Sequence, residues 1–481
     1  MWTFLMGLTL SVRPYYWPDP LMGHSPPIAT RSGWISIGIM PFMIAFSTKI
    51  NWVGLLTDTS HEKLQVFHRW TALFMYITSL VHTFPYIIDR IRDGTMEINW
   101  STGTFYWTGV AALIPQTWLI FMSWGPIRNR YYEFFKKLHL LAAVVFMAFL
   151  FIHVNGMLNS WDYFAATFAL YFLSFLVRNL KALYNSSFGL GHPASLQTLP
   201  DNMLKANITT PSRIKWAAGQ HFIIRFLGLG AHTFSSHPFT VASIPATDGG
   251  KNDLELIFAV REGITKRLRD TIEGKPSKVF RVWVDGPYGG PPVSVSRYDH
   301  VYLMAGGSGV TFTLSLLRDL VRRMSNEEKI RCRHIEFILA VKSTDTLSWM
   351  DDDLVVARNH GIIIRLYVTQ DPRAYDLKTG GSDVESLGDK SKEAASHTTS
   401  LGRPNIPAIV HQACRTEIGS IAIAACGPES FLYDLRTAVA DCQLAIADGY
   451  GTCNDLYLHT ETYKYVVYPF LSPSWLMYAN L

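Results

Sequence analysis

Charge is scarce in this 481-residue chain. Asp, Glu, Lys and Arg together make up 17% of it, against 48% hydrophobic residues, where a soluble domain carries about 25% charge. The net charge is only +5, and no basic stripe provides the electrostatic footprint of a nucleic-acid partner. Cysteine is scarce as well. The five cysteines, Cys332, Cys414, Cys426, Cys442 and Cys453, all lie in the second half, with no CxxC or metal-ligand spacing. That excludes a disulfide framework and a zinc ribbon, and suits a reducing, cytosolic compartment. The N-terminus lacks the basic start and small-residue cleavage site of a signal peptide. The length allows two or three domains.

The apolar residues are unevenly spread. Long runs at 33–50, 64–88, 104–123, 138–158 and 160–180 are each about long enough to cross a bilayer. The stretch Met1–Val12 is apolar but reaches only about 18 Å as a helix, and reads as the end of a longer one. His24 falls in a Pro-rich loop and His61 in a polar stretch. The connector Gly125–Lys137 carries Arg128, Arg130, Lys136 and Lys137 against Glu133 alone, which places it in the cytosol by the positive-inside rule. The last span then also ends in the cytosol, and so does everything after it. The 89–103 loop falls outside, where Asn99-Trp100-Ser101 can accept a glycan. The sequon at Asn207 would be cytosolic and unused. The expected organisation is a membrane domain over 1–184, a small β domain over 185–292 and an α/β domain over 293–481, with a polar, disordered insertion at 373–406.

Two apolar runs each hold two histidines fourteen residues apart: His68 with His82, and His139 with His153. Fourteen residues are almost four helical turns, so the second ring lies about 40° round from the first and about 21 Å along. Each helix therefore offers one imidazole near either side of a bilayer. A single intramembrane histidine can simply hydrogen-bond a neighbouring helix. Two equally spaced pairs suit two stacked haems, each iron held by two nitrogens. Arg69 is either a propionate partner or a side chain reaching for the headgroups.

Residues 200–292 alternate like short strands, at 221–226 and 254–260 for example, broken by Gly and Pro, which suggests a small barrel. Within it, His237, Pro238, Phe239 and Thr240 offer a fixed turn, a ring and a hydroxyl, a candidate flavin seat or a plain strand. Arg261, Gly263 and Thr265 form either a pyrophosphate seat or an ordinary turn. Asp285–Pro291 reads as a rigid turn that closes the barrel. The apolar strand 301–305 then runs into Gly306, Gly307, Ser308, Gly309 and Thr311, followed by a helix over 312–324. Strand, glycine turn and helix is the dinucleotide design, because backbone N–H groups at the helix start hold a pyrophosphate and glycine lets it approach. Further strands at 335–341, 362–368 and 421–425 continue a parallel pattern. The last leads into Cys426, Gly427 and Pro428. Cys426 stands beside a nicotinamide or is a small buried residue. Lys342 meets a 2′-phosphate or only solvent.

Taken together these motifs resemble the fungal ferric reductase family, relatives of the NADPH oxidases. The resemblance covers nearly the whole chain and rests on the segments His68–Trp70, Val81–Pro85, Trp124–Arg128, Lys137–His139, His237–Thr240, Asp285–Gly289, Ala305–Thr311 and Cys426–Pro428, and on their order. It implies a multi-domain membrane protein: an all-α transmembrane haem-binding bundle, a ferredoxin-reductase-like β-barrel holding FAD, and an α/β domain binding NADPH. It also implies two b-type haems, a plasma-membrane setting with membrane lipid around the bundle, and extracellular ferric or cupric chelates as substrate. In superoxide-generating relatives the second histidine spacing is usually one residue shorter; here both are fourteen, as in the metal reductases. Family members usually carry a further membrane helix before this point, and end soon after an acidic-aromatic motif that Glu461–Tyr465 matches. A superoxide-producing oxidase and an inactive truncated scaffold are the rival readings.

Overall fold

The computed structural model describes residues 2–17, 25–57, 59, 61–230, 233, 235–246, 249–370, 397–450 and 452–462. His24, residues 373–396 of the expected insertion and the tail after Thr462 lie outside them. The chain divides near residue 180 into two units.

The first unit is helical: α1 (Trp2–Ser11), α2 (Pro27–Ser47), α3 (Trp52–Thr57), α4 (His61–Arg92), α5 (Met96–Thr102), α6 (Thr104–Met122), α7 (Gly125–Arg130), α8 (Tyr132–Val154) and α9 (Ser160–Asn185), the last continuing into the second unit. Five of them, α2, α4, α6, α8 and α9, are long and apolar enough to cross a membrane. Helix α2 starts before the apolar run at 33 because Pro27 stands in its first turn, where a missing N–H costs nothing. The closest packing joins α2 to α4 and α6 to α8. Ser36 and Ser79 hydroxyls meet at 2.8 Å, and Gln116 Nε2 donates to Ser79 Oγ at 3.3 Å. These polar side chains tie α2, α4 and α6 together among apolar neighbours, as small hydroxyls do between membrane helices.

The second unit begins with six antiparallel strands: β1 (His192–Leu199), β2 (Met203–Thr210), β3 (His221–Phe226), β4 (His237–Thr240), β5 (Asn252–Ala259) and, after helix α10 (Ile264–Gly274), β6 (Phe280–Tyr288). Their order is β4-β3-β6-β1-β2-β5. A bridge from Val241 to Leu256 brings the two edges together, so the sheet curls round a core that includes Phe222, Phe226, Phe280 and Val282. Residues 285–288, expected to be part of a turn, still belong to β6; only Gly289–Pro291 leave the strand.

An α/β layer follows: β7 (His300–Gly306), α11 (Val310–Ser325), β8 (His334–Val341), α12 (Asp351–Asn359), β9 (Ile363–Val368), β10 (His397–Leu401), α13 (Ile406–Thr416), β11 (Gly419–Cys426), α14 (Glu429–Ala447) and β12 (Cys453–Glu461). All six strands are parallel, ordered β10-β9-β8-β7-β11-β12. Residues 397–406 were expected to be disordered. Instead β10 pairs with β9, and the Asn405 side chain accepts from Ala408 N to cap α13. The polar composition there belongs to a solvent-facing edge strand and a cap, which polar residues serve well.

Arg318 of α11 links this layer to the barrel. Its guanidinium donates to both Asp353 oxygens at 2.7 Å, to Glu255 Oε1 at 2.9 Å and to Ala242 O at 3.0 Å. Removing one partner of a buried charge network costs about 3–5 kcal/mol, and the side chain here is a fifth exposed. Arg318→Leu is therefore expected to destabilise the second unit by about 3 kcal/mol, read as a lower denaturant midpoint by tryptophan fluorescence. An unchanged midpoint would show that the link is dispensable.

Candidate functional site

The four membrane histidines do come together in pairs. His68 and His139 have ring centroids 6.5 Å apart, and His82 and His153 6.0 Å apart. Each ring is held through Nδ1. His68 Nδ1 donates to Met43 O at 2.9 Å, His82 Nδ1 to Ala29 O at 2.8 Å and His153 Nδ1 to Phe105 O at 2.9 Å. His139 Nδ1 meets Ser123 Oγ at 3.5 Å, a hydroxyl whose own hydrogen goes to Leu119 O. A carbonyl only accepts, so Nδ1 carries the proton and Nε2 is left with its lone pair. This is the arrangement by which an outer hydrogen bond fixes the tautomer of a metal-binding histidine.

The spacing can be tested against an iron. An imidazole binds a first-row metal at about 2 Å, and the ring radius adds about 1 Å. Two imidazoles on opposite sides of one iron thus have centroids about 6 Å apart. Both pairs fit. Among the described residues there is no group of three or more His, Cys, Asp or Glu able to hold a metal ion. Pairs are what a porphyrin iron needs, since the macrocycle fills its other positions. Midway between the ligand positions, Met75 and Phe146 are buried in one apolar cluster. Arg69 is exposed beside His68.

In the second unit, β4 forms the edge next to β3, with Thr240 opposite His221 and Phe239 opposite Phe222. Phe239 is only 8% exposed and its ring lies 4.5 Å from Phe258, so it serves the barrel core. Pro238 and Thr240 point to the other face, as alternation requires. Arg261 N–H donates to the Thr265 hydroxyl oxygen at 2.8 Å, and that hydroxyl donates to Arg261 O at 2.8 Å. Thr265 therefore shapes the turn into α10, with Gly263 at φ 88°.

The glycine turn after β7 and the Cys426 turn after β11 are in contact. A Cβ on Gly309 would lie 2.2 Å from Cys426 O, and one on Gly306 would lie 2.9 Å from Pro428 Cδ. Gly307 has φ 57°. The chain fills the sheet on one side of β7 and then returns to fill the other, so the strand order reverses between β7 and β11. Parallel α/β sheets bind ligands in the crevice at such a switch point. Ser308 lies in this turn. Thr311 is 3% exposed, and its hydroxyl donates to Ile257 O of β5 at 2.9 Å; it pins the turn to the barrel and does not face the crevice.

Family comparison agrees with this geometry. Residues 32–150 match the ferric reductase like transmembrane component, 190–292 an FAD-binding domain and 298–440 the ferric reductase NAD binding domain. The chain belongs to the ferric reductase family. It is 34% identical over 363 residues to the probable cell surface ferric reductase kap2 of Aspergillus oryzae, covering 72% of this chain and 48% of that one. It is 27% identical over 394 residues to ferric/cupric reductase transmembrane component 7 of Saccharomyces cerevisiae, covering 78% and 61%. Ferric reductase transmembrane component 4 of the same yeast is 26% identical over 455 residues, covering 86% and 60%. The chain thus spans about half to three fifths of the length of these relatives. As a member of the ferric reductases it is a multi-pass membrane protein, with seats for FAD and a nicotinamide nucleotide.

Sequence patterns gave no role to His459 and marked Glu461 only as the start of an acidic-aromatic motif. Glu461 is in register with Cys426 across β11 and β12, His459 Nε2 lies 3.1 Å from Glu461 Oε1, and the His459 ring stacks on Phe312. Parallel pairing of β12 brings them to the crevice, and only that pairing reveals it. Cys426 is 6% exposed; burial, with the Glu461 charge added, pushes its thiol up to about 12. A raised thiol pKa keeps the neutral S–H, so Cys426 is expected to resist iodoacetamide through pH 9, where an ordinary thiol is mostly ionised. Labelling at the normal thiolate rate at pH 8 would refute this.

Proposed function

We propose that this ferric reductase carries electrons across the plasma membrane, from cytosolic NADPH through FAD and two b-type haems to extracellular ferric, and also cupric, chelates. The observation that carries this reading is the pairing of four half-buried imidazoles at two depths, each held by Nδ1 and left with Nε2 for a metal. FAD is the group that converts a two-electron donor into single electrons, which is all a haem accepts.

The chain's own residues supply the rest. Gly306, Gly307, Ser308 and Gly309 cradle a pyrophosphate at the start of α11, and Cys426, Gly427 and Pro428 line the crevice beside it. Thr240, His237 and Pro238 at the barrel edge, with Phe239 beneath, seat the flavin. Arg261 and Gly263, at the start of α10 in a turn closed by Thr265, take its pyrophosphate. His68 with His139 holds the inner haem and His82 with His153 the outer, and Arg69 pairs an inner propionate. The basic residues around α7 set this orientation, with both soluble domains in the cytosol. Held by two imidazoles each, the haems would supply single-electron relay rather than a site that binds the acceptor.

A dithionite-minus-oxidised spectrum of the membranes is expected to show b-type bands. His153→Ala is expected to remove the outer haem and abolish reduction of ferric citrate by NADPH. Iron reduction that survives this substitution would overturn the ligand assignment; iron reduction that disappears on adding superoxide dismutase, with oxygen uptake continuing, would make the protein an oxidase. Lys342, exposed at the end of β8, is assigned to the 2′-phosphate. Lys342→Glu is expected to raise KM for NADPH at least about tenfold, a loss of about 1.4 kcal/mol, with NADH unaffected. An equal rise for both nucleotides would remove that assignment.

A further inference from the structure

The two outer histidines are seated in the same way on two different helices. His82 of α4 donates to Ala29 O of α2, and a Cβ on Gly33, four residues on from Ala29, would lie 2.6 Å from His82 Nδ1 and 3.0 Å from its Cε1. His153 of α8 donates to Phe105 O of α6, and a Cβ on Gly109, four residues on from Phe105, would lie 2.9 Å from His153 Cε1 and 3.2 Å from its Nδ1. In an α-helix the amide at i+4 points to the carbonyl at i. The imidazole shares that carbonyl with the glycine's own amide, and so must lie flat against the place a side chain would take. Only glycine leaves room for both.

The inner pair is built differently. His68 donates to Met43 O, and the residue four further on is Ser47; His139 leans on the Ser123 hydroxyl. None of the described glycines has either inner ring among its nearest neighbours. The ring planes also differ. His82 and His153 cross at 83°, His68 and His139 at 66°.

We propose that Gly33 and Gly109 are positioning residues for the outer haem: they fix the planes of His82 and His153 and hold the outer ligand pair crossed near a right angle. The proposal rests on the bis-histidine haem reading given above. A Cβ at either position would push the ring away from its carbonyl or rotate it about that bond. Low-spin ferric haem reports this directly, because crossed axial rings give a large maximal g value in EPR and more parallel rings a smaller one.

The test uses the full chain in membranes with Gly33→Ala, Gly109→Ala and, as reference, Gly38→Ala. Gly38 is also in α2, and a Cβ there would meet only Tyr163, at 3.9 Å, so the change in helix propensity is shared and the clash is not. Haem-to-protein ratio, EPR spectrum and midpoint potentials are read together. Each of the first two variants is expected either to shift one of two EPR signals to a smaller maximal g value or to cut bound haem by about half. The second signal should stay as in the parent, which reports that the bundle has folded. Gly38→Ala should match the parent throughout. Spectra and haem content unchanged in both clash variants, both haems lost together, or the same effect from Gly38→Ala would each overturn the proposal. A parent protein without b-type haem would instead overturn the haem reading itself. The two glycines lie on different helices, so each variant is a separate test.

Discussion

One hydrogen bond, made four times, sets the chemistry of the membrane unit: imidazole Nδ1 to an oxygen on an adjacent helix. A bond of this kind contributes only about 1 kcal/mol to membrane stability. Its larger effect is directional. It commits the proton to Nδ1, leaves Nε2 with its lone pair, and satisfies a donor that hydrocarbon would otherwise leave stranded. Without it each histidine would be a costly polar group on an apolar helix. With it, the pairs α2 with α4 and α6 with α8 become carriers that present rings at two fixed depths.

The second unit solves a different problem, which is to bring two loops distant in sequence to one point. Parallel pairing of β7 with β11 puts Ala305 beside Cys426, so the glycine turn and the Cys426 turn meet by register alone. Glycine is required where they touch, because a Cβ on Gly309 would overlap the Cys426 carbonyl. The hydroxyl of Thr311 and the guanidinium of Arg318 then lock this corner to the barrel. Nucleotide and flavin seats are therefore parts of one packed body, in which the distance between them is set by buried hydrogen bonds rather than by a linker.

Much of this was legible in the chain because it is periodic or glycine-marked. The fourteen-residue histidine spacing survives intact since a long apolar helix keeps its 3.6-residue phase. The glycine turn and its following helix carry their own local signals. What was hidden depends on neighbours. Met43, Ala29, Phe105 and Ser123 contribute backbone or hydroxyl oxygens from other helices, and nothing in their identities announces it. Phe239 reads as an aromatic beside a flavin, yet the alternation of β4 turns it into the core. Thr265 and Thr311 read as phosphate donors, but each hydroxyl is spent on a carbonyl that shapes or anchors its turn. Strand β10 sits in polar sequence because an edge strand has no need of apolar alternation on both faces.

The two histidine pairs of the membrane unit are alike in composition and differ in how firmly they are gripped. On the inner side His139 rests on a hydroxyl at 3.5 Å, a long contact, and neither ring is backed by glycine. On the outer side both rings bond to main-chain carbonyls within 3 Å and are wedged against bare helix backbone. Axial ring orientation and basicity are among the levers by which a protein tunes haem. In the orientation proposed above, a rigid outer site would keep its properties when acceptors of varied shape arrive at the external face. In the relay proposed above, the inner pair would serve the chain's own flavin, a partner that does not vary, and so would tolerate a looser hold. On that proposal the asymmetry would follow the side on which the reacting partner changes.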